Sequence, residues 1–489
     1  MRVKSTRTRQ AMFWLVGAIA ASWVLNQSLK NGFKNNFLSE ISSNGAYQFF
    51  AAFKNNELDY KRFYVTGEDK VYSKLIRTIL AAPNSQYLSD DLYNIRRTVD
   101  NDGVEKKLNV IFISVESLSA AFLQRYGHEL PWTPFIDQWM DQSLVFDRLY
   151  ATGTRTVRGL EALTLSIPPT PGRSVVKRPD NDRMFSLGKV FKDREYDVAY
   201  MYGGRGYFDN MNKFFSGNGY RTVDMTDFDS SEIEFSNAWG MNDESLFNKV
   251  IEQADSDHAD HTPFFFHVMT VSNHQPFTYP DGRVEVASGV GRGGGVQYTD
   301  YALRKFIKSA KQKPWFDDTV FVMVADHTAN SAGRTGLTLS RYHIPFLIYA
   351  PKYISPTSIK KIASQIDVGP TLLALLGMDY TGSFFGQNIL SADFQPRALI
   401  GNYQKLALYE DDQLVIFSPQ KKIQRITSPS LVEHDNSNTA AEAIEDIQLS
   451  DSPVAQDTLA YYQAADYMLE HRLNRWQTPE ANLATSPAD

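Results

Sequence analysis

The 489-residue chain has no cysteine. That absence removes disulfides, thiolate metal ligands and cysteine nucleophiles together, and it fits an exported protein that avoids disulfides. A basic excess is missing too. The formal charge is −6, spread along the chain, which argues against nucleic acid as a partner. No internal repeat is visible. Long apolar runs are scarce, and the one near the start is short. It extends from Met12 to Leu25, meets no charge until Lys30, and follows a flank carrying Arg2, Lys4, Arg7 and Arg9. A bilayer crossing takes about 20 apolar residues. Trp14 and Trp23 suit the two interfaces, and the basic flank would stay in the cytoplasm with everything after Lys30 outside. An uncleaved membrane helix is the expectation. Ala18-Ile19-Ala20 also resembles a signal-peptidase site, and a buried helix is the plain alternative.

What is present points to a sizeable folded core: 43% hydrophobic residues, with 25 Tyr and 31 Phe. The most informative stretch is 320–327, an apolar run that ends abruptly in Asp326 and His327. A buried parallel strand reads as such a run. In open α/β sheets ligands bind beyond the carboxyl ends of the strands. Asp and His both ligate divalent metals of intermediate hardness. The same pattern recurs at 108–114, which runs into Glu116; alone, that residue would be a helix N-terminal acid. After an expected strand at 144–149, Thr152-Gly153-Thr154-Arg155-Thr156 leads into helical spacing at Leu160, Leu163 and Leu165. A helix N-terminus favours an anion, and Arg155 and Arg158 add positive charge there. Thr156 is a nucleophile if a metal or base lowers its pKa, or simply an N-cap.

Residues 31–105 read as a polar, helical connector, with 96–107 as a charged linker containing the Asn101-Asp102-Gly103 turn. A strand at 196–202 ends in a tight loop, Gly203 to Asn210, that includes Arg205. Asp243 is the expected N-cap of a helix through Val250. A strand at 263–271 holds His267 as a core residue. His274 lies just past its end, placed to contact substrate or shuttle a proton. The glycine-rich stretch around Arg292 is no phosphate-binding loop, because no Gly-Lys-Ser/Thr follows; it reads as a mobile surface loop before a helix at 298–311. From 398 the pattern becomes an antiparallel meander, followed by a helix at 456–473. The expected division is therefore 1–30 basic flank and membrane anchor, 31–105 connector, 106–397 catalytic domain, 398–475 small sheet plus helix, and 476–489 disordered tail.

Glu116, Thr156, Asp326 and His327 come from three element ends. Two carboxylates, a hydroxyl and an imidazole suit one Mn²⁺, Zn²⁺ or Mg²⁺ ion, the oxygen-rich balance leaning toward Mn²⁺ or Mg²⁺.

At these residues the chain resembles the lipoteichoic-acid-synthase-like, phosphoglycerol transferase branch of the alkaline phosphatase/sulfatase superfamily. The resemblance covers about residues 105–395. It is carried by Asn109 through Ser117, Gly153-Thr154-Arg155-Thr156, Tyr202-Gly203-Gly204 with Phe208 to Met211, Trp239-Gly240 with Asp243-Glu244, Ser272 through Phe277, Tyr298 to Tyr301, Ala325-Asp326-His327 and Gln365 through Thr371. It implies an α/β fold with a mostly parallel central sheet sandwiched by helices. It implies that Glu116, Thr156, Asp326 and His327 are metal ligands, commonly for Mn²⁺, that Thr156 is the nucleophile, and that His274 contacts the substrate phosphate. It implies a phosphatidylglycerol-like donor, a glycan or polymer acceptor, and action outside the bacterial inner membrane. Arg155, Arg205 and Asn210 are the further substrate-binding candidates. Relatives usually carry several membrane helices before the catalytic domain, and here there is at most one, by a reduced anchor or a start downstream of the true one. Arg205 stands where many relatives have an acid, and Asn210 near where the lipoteichoic acid synthases have an arginine. A phosphoester or phosphodiester hydrolase on the same scaffold is the alternative. A true sulfatase would need a Cys- or Ser-derived formylglycine, and the nucleophile position here is Thr156.

Overall fold

Seven residues at Thr319–Ala325 and six of seven at Asn109–Val115 are buried, so both faces of these strands are covered. They belong to a central sheet of nine strands among the described residues. In chain order these are β1 (Asn109–Val115), β2 (Leu144–Tyr150), β3 (Asp197–Tyr202), β4 (Arg221–Val223), β5 (Phe264–Met269), β6 (Thr319–Ala325), β7 (His343–Ile344), β8 (Phe346–Tyr349) and β9 (Thr357–Ser364). The computed structural model describes residues 58–329, 336–431 and 443–476, with Gln10, 12–14 and Gly17 of a separate N-terminal unit. The spatial order is β9-β2-β8-β6-β1-β5-β3-β4, with β7 paired to β2. Only β7 and β8 run antiparallel to their neighbours. The expected mostly parallel sheet is therefore present.

Register places the site. β1 and β6 pair in parallel from Asn109 opposite Thr319 to Val115 opposite Ala325. Glu116 and Asp326, the next residue of each strand, therefore leave adjacent strands at one level. β5 lies on the other side of β1 and sends Asn273 and His274 to the same edge.

The meander is also as expected. Ala398–Gly401, Leu406–Glu410, Gln413–Ser418, Lys422–Thr427 and Ile444–Asp446 pair sequentially and antiparallel. The helix Pro453–Glu470 packs on this sheet.

Two expectations need correction. The described part of the connector is only partly helical. Its strands Ser85–Tyr87 and Arg97–Val99 join Tyr380–Gly382 in a three-stranded antiparallel sheet. Its helix Asp69–Leu80 packs against Pro453–Glu470. The cause is burial: Tyr72, Ile76, Leu80 and Tyr93 all enter the core, and Arg97 sits inside with Nη1 donating to the Phe384 carbonyl at 2.9 Å. The chain from Leu58 onward is one compact unit.

The glycine-rich stretch is not a surface loop beyond Gly291, because the helix begins at Arg292 and runs to Ala310. Tertiary packing overrides the weak helix propensity of glycine. A Cβ on Gly293 would lie 2.8 Å from the Trp132 ring, and one on Gly294 2.2 Å from the Tyr279 hydroxyl.

Among the described residues no helix is long and apolar enough to cross a membrane. Most of the expected span at 12–25 lies outside the described residues, as does the tail beyond Trp476.

Candidate active site

The structure brings Glu116, Asp326 and His327 together, with one ligand atom from each within 4.8 Å of the others. His327 Nε2 is 3.9 Å from Glu116 Oε1 and 3.5 Å from Asp326 Oδ2. Thr156 completes the group, its hydroxyl donating to Glu116 Oε2 at 3.2 Å. Thr156 is the first residue of the helix Thr156–Leu165. The N-cap is Arg155, and no side chain caps that terminus. The hydroxyl is thus not spent on capping and turns to the carboxylate. The helix also approaches Asp326 closely: a Cβ on Gly159 would lie 2.1 Å from the Asp326 carbonyl oxygen, so only glycine fits there.

Backbone and side-chain donors orient each member. Asp326 Oδ1 accepts from Ser117 N at 2.8 Å and His327 N at 2.7 Å. Ser117 Oγ donates to Glu116 Oε1 at 2.5 Å. His327 Nδ1 pairs with the Thr328 carbonyl at 2.8 Å. A carbonyl only accepts, so Nδ1 carries the hydrogen and Nε2 is the ring nitrogen that faces the carboxylates. Asn273 Nδ2 holds the Glu116 carbonyl at 2.9 Å, and Gln365 Nε2 holds those of Ala325 and Asp326, both at 2.9 Å. The same Gln365 accepts from Thr152 N at 3.1 Å, tying the end of β6 to the loop that carries Thr156.

The electrostatics ask for a cation. Burial, then the Glu116 charge, pushes the Asp326 carboxyl well above the usual carboxylate range. Burial pushes the His327 imidazole down, but Asp326 and Glu116 outweigh it and hold it up. Asp326 Oδ2 is buried and accepts no hydrogen bond, and such an atom is costly unless something positive meets it. An oxygen-rich set with one imidazole lone pair fits a divalent ion. Asp326→Asn is therefore expected to raise the melting temperature of chelator-treated protein by roughly 2–5 °C at pH 7.5. At that pH the wild-type carboxylate is ionised at a cost. The advantage of Asn shrinks as the pH falls and Asp326 takes up its proton in the folded state. The same change should weaken metal binding by more than the roughly 10–100-fold lost when only a ligand's hydrogen-bond support is removed. Thermal melts with chelator and with added Mn²⁺ check both; a variant that is stabilised by Mn²⁺ as much as wild type would contradict the ligand role.

The other expected residues divide. His274 is half-buried, its Nδ1 donating to the Gln275 carbonyl at 2.8 Å and its ring 3.8 Å from that of Trp239. Trp239 in turn meets Phe208 at 5.6 Å. Arg155 is exposed beside Thr156, and Arg205 is half-exposed in the loop after β3. Asn210 is committed to the fold, donating to the Val176 carbonyl at 2.9 Å. Arg158 turns inward, away from any anion, to Glu161 at 2.6 Å and to the carbonyls of Thr170 and Gly172. His267 is a core residue as read: burial lowers its pKa to about 3, and it pairs with Ser114 Oγ at 2.7 Å. Asp243 is not the N-cap, which is Asn242. Its buried carboxylate reaches across to Val271 N and Ser272 N, both at 3.0 Å, and so anchors the segment carrying His274. Sequence reasoning missed Arg292, whose Nη1 donates to the Asn273 carbonyl at 3.4 Å. It also missed the holding roles of Ser117, Asn273 and Gln365.

A mostly parallel sheet with two acids and an imidazole gathered at one strand-end level defines a class, the α/β folds with a candidate metal centre at the carboxyl edge of the sheet. The sulfatase family model matches residues 108–378, and the chain belongs to that family. A solved protein of the alkaline phosphatase superfamily from Vibrio parahaemolyticus is 30% identical, with a TM-score of 0.76, over 86% of this chain and all of that one. The lipoteichoic acid synthase LtaP of Listeria monocytogenes shares the fold, with a TM-score of 0.61 over 82% of this chain and 98% of its own at 19% identity. Among curated relatives, Lipoteichoic acid synthase-like YvgJ of Bacillus subtilis is 25% identical over 331 residues, 61% of this chain. The chain spans about half that relative's length, 52%.

Proposed function

We propose that this enzyme moves a phosphoglycerol or related phosphoalcohol group from a phosphatidylglycerol-like donor to a hydroxyl of an envelope glycan or polymer. The group travels as an ester on Thr156. The observation that carries the reading is the Thr156 hydroxyl itself, uncommitted to capping and 3.2 Å from Glu116 Oε2, beside Asp326 and His327. The lipoteichoic acid synthase relatives support the donor class. A phospholipid donor would bring the site to a membrane surface, on the outer side of the cytoplasmic membrane.

Glu116, Asp326, His327 and Thr156 would hold one divalent ion, the oxygen-rich donor balance favouring Mn²⁺ or Mg²⁺ with Zn²⁺ also accommodated. Its charge would favour the threonine alkoxide and draw electron density from the phosphoryl oxygens. In the first half-reaction the Thr156 Oγ–phosphorus bond forms as the bond to the diacylglycerol oxygen breaks. The Thr156 proton has Glu116 Oε2 as its nearest acceptor, and the leaving oxygen takes up a proton. In the second half, the acceptor hydroxyl loses its proton, attacks the same phosphorus, and Thr156 leaves and is reprotonated. His274 suits both exchanges. Its Nδ1 donates to the Gln275 carbonyl, so Nε2 is left to take and return a proton. Asp243 holds this histidine's segment from below.

Intact-mass measurement after incubation with phosphatidylglycerol and Mn²⁺ tests the reading. A glycerophosphoryl adduct mapping to Thr156 is expected. Absence of an adduct together with hydrolysis of a simple phosphodiester would replace transfer by hydrolysis on the same residues.

A further inference from the structure

We propose that Arg292 binds the phosphoryl oxygens of the substrate and positions the phosphorus for Thr156, a role resting on the phosphoester reading above. The first residue of the helix Arg292–Ala310, Arg292 is tied to the site through one intermediary. Its Nη1 donates to the Asn273 carbonyl at 3.4 Å, and the Asn273 side chain donates to the carbonyls of Glu116 and Ser117 at 2.9 and 3.3 Å. The guanidinium lies 4.7 Å from the centre of the Phe277 ring, which restricts the plane of its fork. Phe277 and Asn273 also lie against the helix start, where a Cβ on Gly295 would be 3.2 Å from Phe277 and 3.3 Å from Asn273 Oδ1. The glycines thus seat Arg292 against the segment that carries His274.

Among the described residues this guanidinium meets no anion. Arg125, Arg158, Arg194, Arg283 and Arg397 are also partly or wholly buried, and each holds a carboxylate, while the buried Arg97 is met by the Ile95 and Phe384 carbonyls. Among the described residues no carboxylate pairs with Arg292, and its one hydrogen bond is long. Burial disfavours the charged form of Arg292 more than Glu116 restores it. Arginine nevertheless stays protonated in proteins. A desolvated planar cation with unspent N–H groups beside a candidate phosphotransfer centre is built for two oxygens of one phosphoryl group.

The test uses the full chain loaded with Mn²⁺, inorganic phosphate as the probe, and Arg292→Gln and Arg292→Lys. Calorimetric phosphate affinity should fall by roughly 30-fold or more in Arg292→Gln and by an intermediate factor in Arg292→Lys, which keeps the charge but not the fork. The rate of the Thr156 adduct should fall by about 10²–10³-fold in Arg292→Gln. Mn²⁺ affinity and melting temperature should not fall, whereas a merely structural arginine would move the latter. Phosphate affinity within twofold of wild type in the folded Gln variant overturns the proposal; should that variant not fold, the same outcome in Arg292→Lys does so. Failure of the wild type to form any adduct would refute the transferase reading, while the phosphate measurement would still decide the role of Arg292.

Discussion

Thr156→Ala is expected to lower turnover by at least about 10⁵-fold, the scale on which removing a covalent nucleophile acts. It should lower the melting temperature by no more than about 3 °C. The contrast follows from what the side chain touches. Its hydroxyl makes a hydrogen bond to Glu116 Oε2, and such a bond contributes only about 0.5–1.5 kcal/mol net. Glu116 keeps the Ser117 hydroxyl at 2.5 Å, and alanine is well tolerated in the first turn of a helix. Little of the fold depends on this oxygen, while the whole covalent route does. Thr156→Ser restores a nucleophile without the methyl that restricts χ1, and should recover most of the lost rate. Initial rates on a phosphodiester, intact mass and a thermal melt on the three proteins separate chemistry from folding. Wild-type-like turnover in Thr156→Ala would remove the covalent mechanism.

The site was legible in sequence wherever an uninterrupted buried strand ends on a charged residue. β1 before Glu116 and β6 before Asp326 and His327 are such cases, since a parallel strand covered on both faces leaves no alternation to confuse the reading. Their shared level is a matter of register, which sequence does not carry. The pieces that hold the site were less visible. Asn273 and Gln365 act through uncharged amides on backbone carbonyls, and nothing in their local pattern separates them from surface amides. Arg292 was hidden because three consecutive glycines read as a loop, whereas the packing of Trp132 and Tyr279 against them needs the missing Cβ atoms. Arg158 misled in the opposite direction: it turns to Glu161 one helical turn on, an i,i+3 pair, and to the carbonyls of Thr170 and Gly172 beyond the helix, which local spacing does not announce. The strands Ser85–Tyr87 and Arg97–Val99 are short and find their third partner at Tyr380–Gly382, too far along the chain for local periodicity to register.

Arg397→Met should cost about 3–5 kcal/mol of stability, because it leaves a buried carboxylate without its counter-charge. Arg397 and Asp367 are 1% and 0% exposed. They pair in a fork, Nη2 to Oδ1 at 2.8 Å and Nη1 to Oδ2 at 3.0 Å, while Arg397 Nε donates to the Tyr461 hydroxyl at 2.7 Å. Asp367 also accepts Ser364 N and Gln387 N, both at 2.9 Å. One ion pair therefore joins the exit of β9, the entry to the strand Ala398–Gly401 and the helix Pro453–Glu470. Methionine fills the volume of the stem but offers Asp367 no donor. Asp367→Asn in the same chain removes the stranded charge, so the double variant should be more stable than Arg397→Met alone. The loss should also reach the chemistry. Gln365 stands two residues before Asp367 and holds the Ala325 and Asp326 carbonyls, so loosening this turn loosens the strand end that carries the candidate metal ligands Asp326 and His327. Arg397→Met should then lose adduct-forming rate at temperatures well below its own melting transition, and the double variant should regain part of it. Denaturant melts on the cycle of four proteins give the coupling; a value below about 1 kcal/mol would mean that the two charges do not act as a unit.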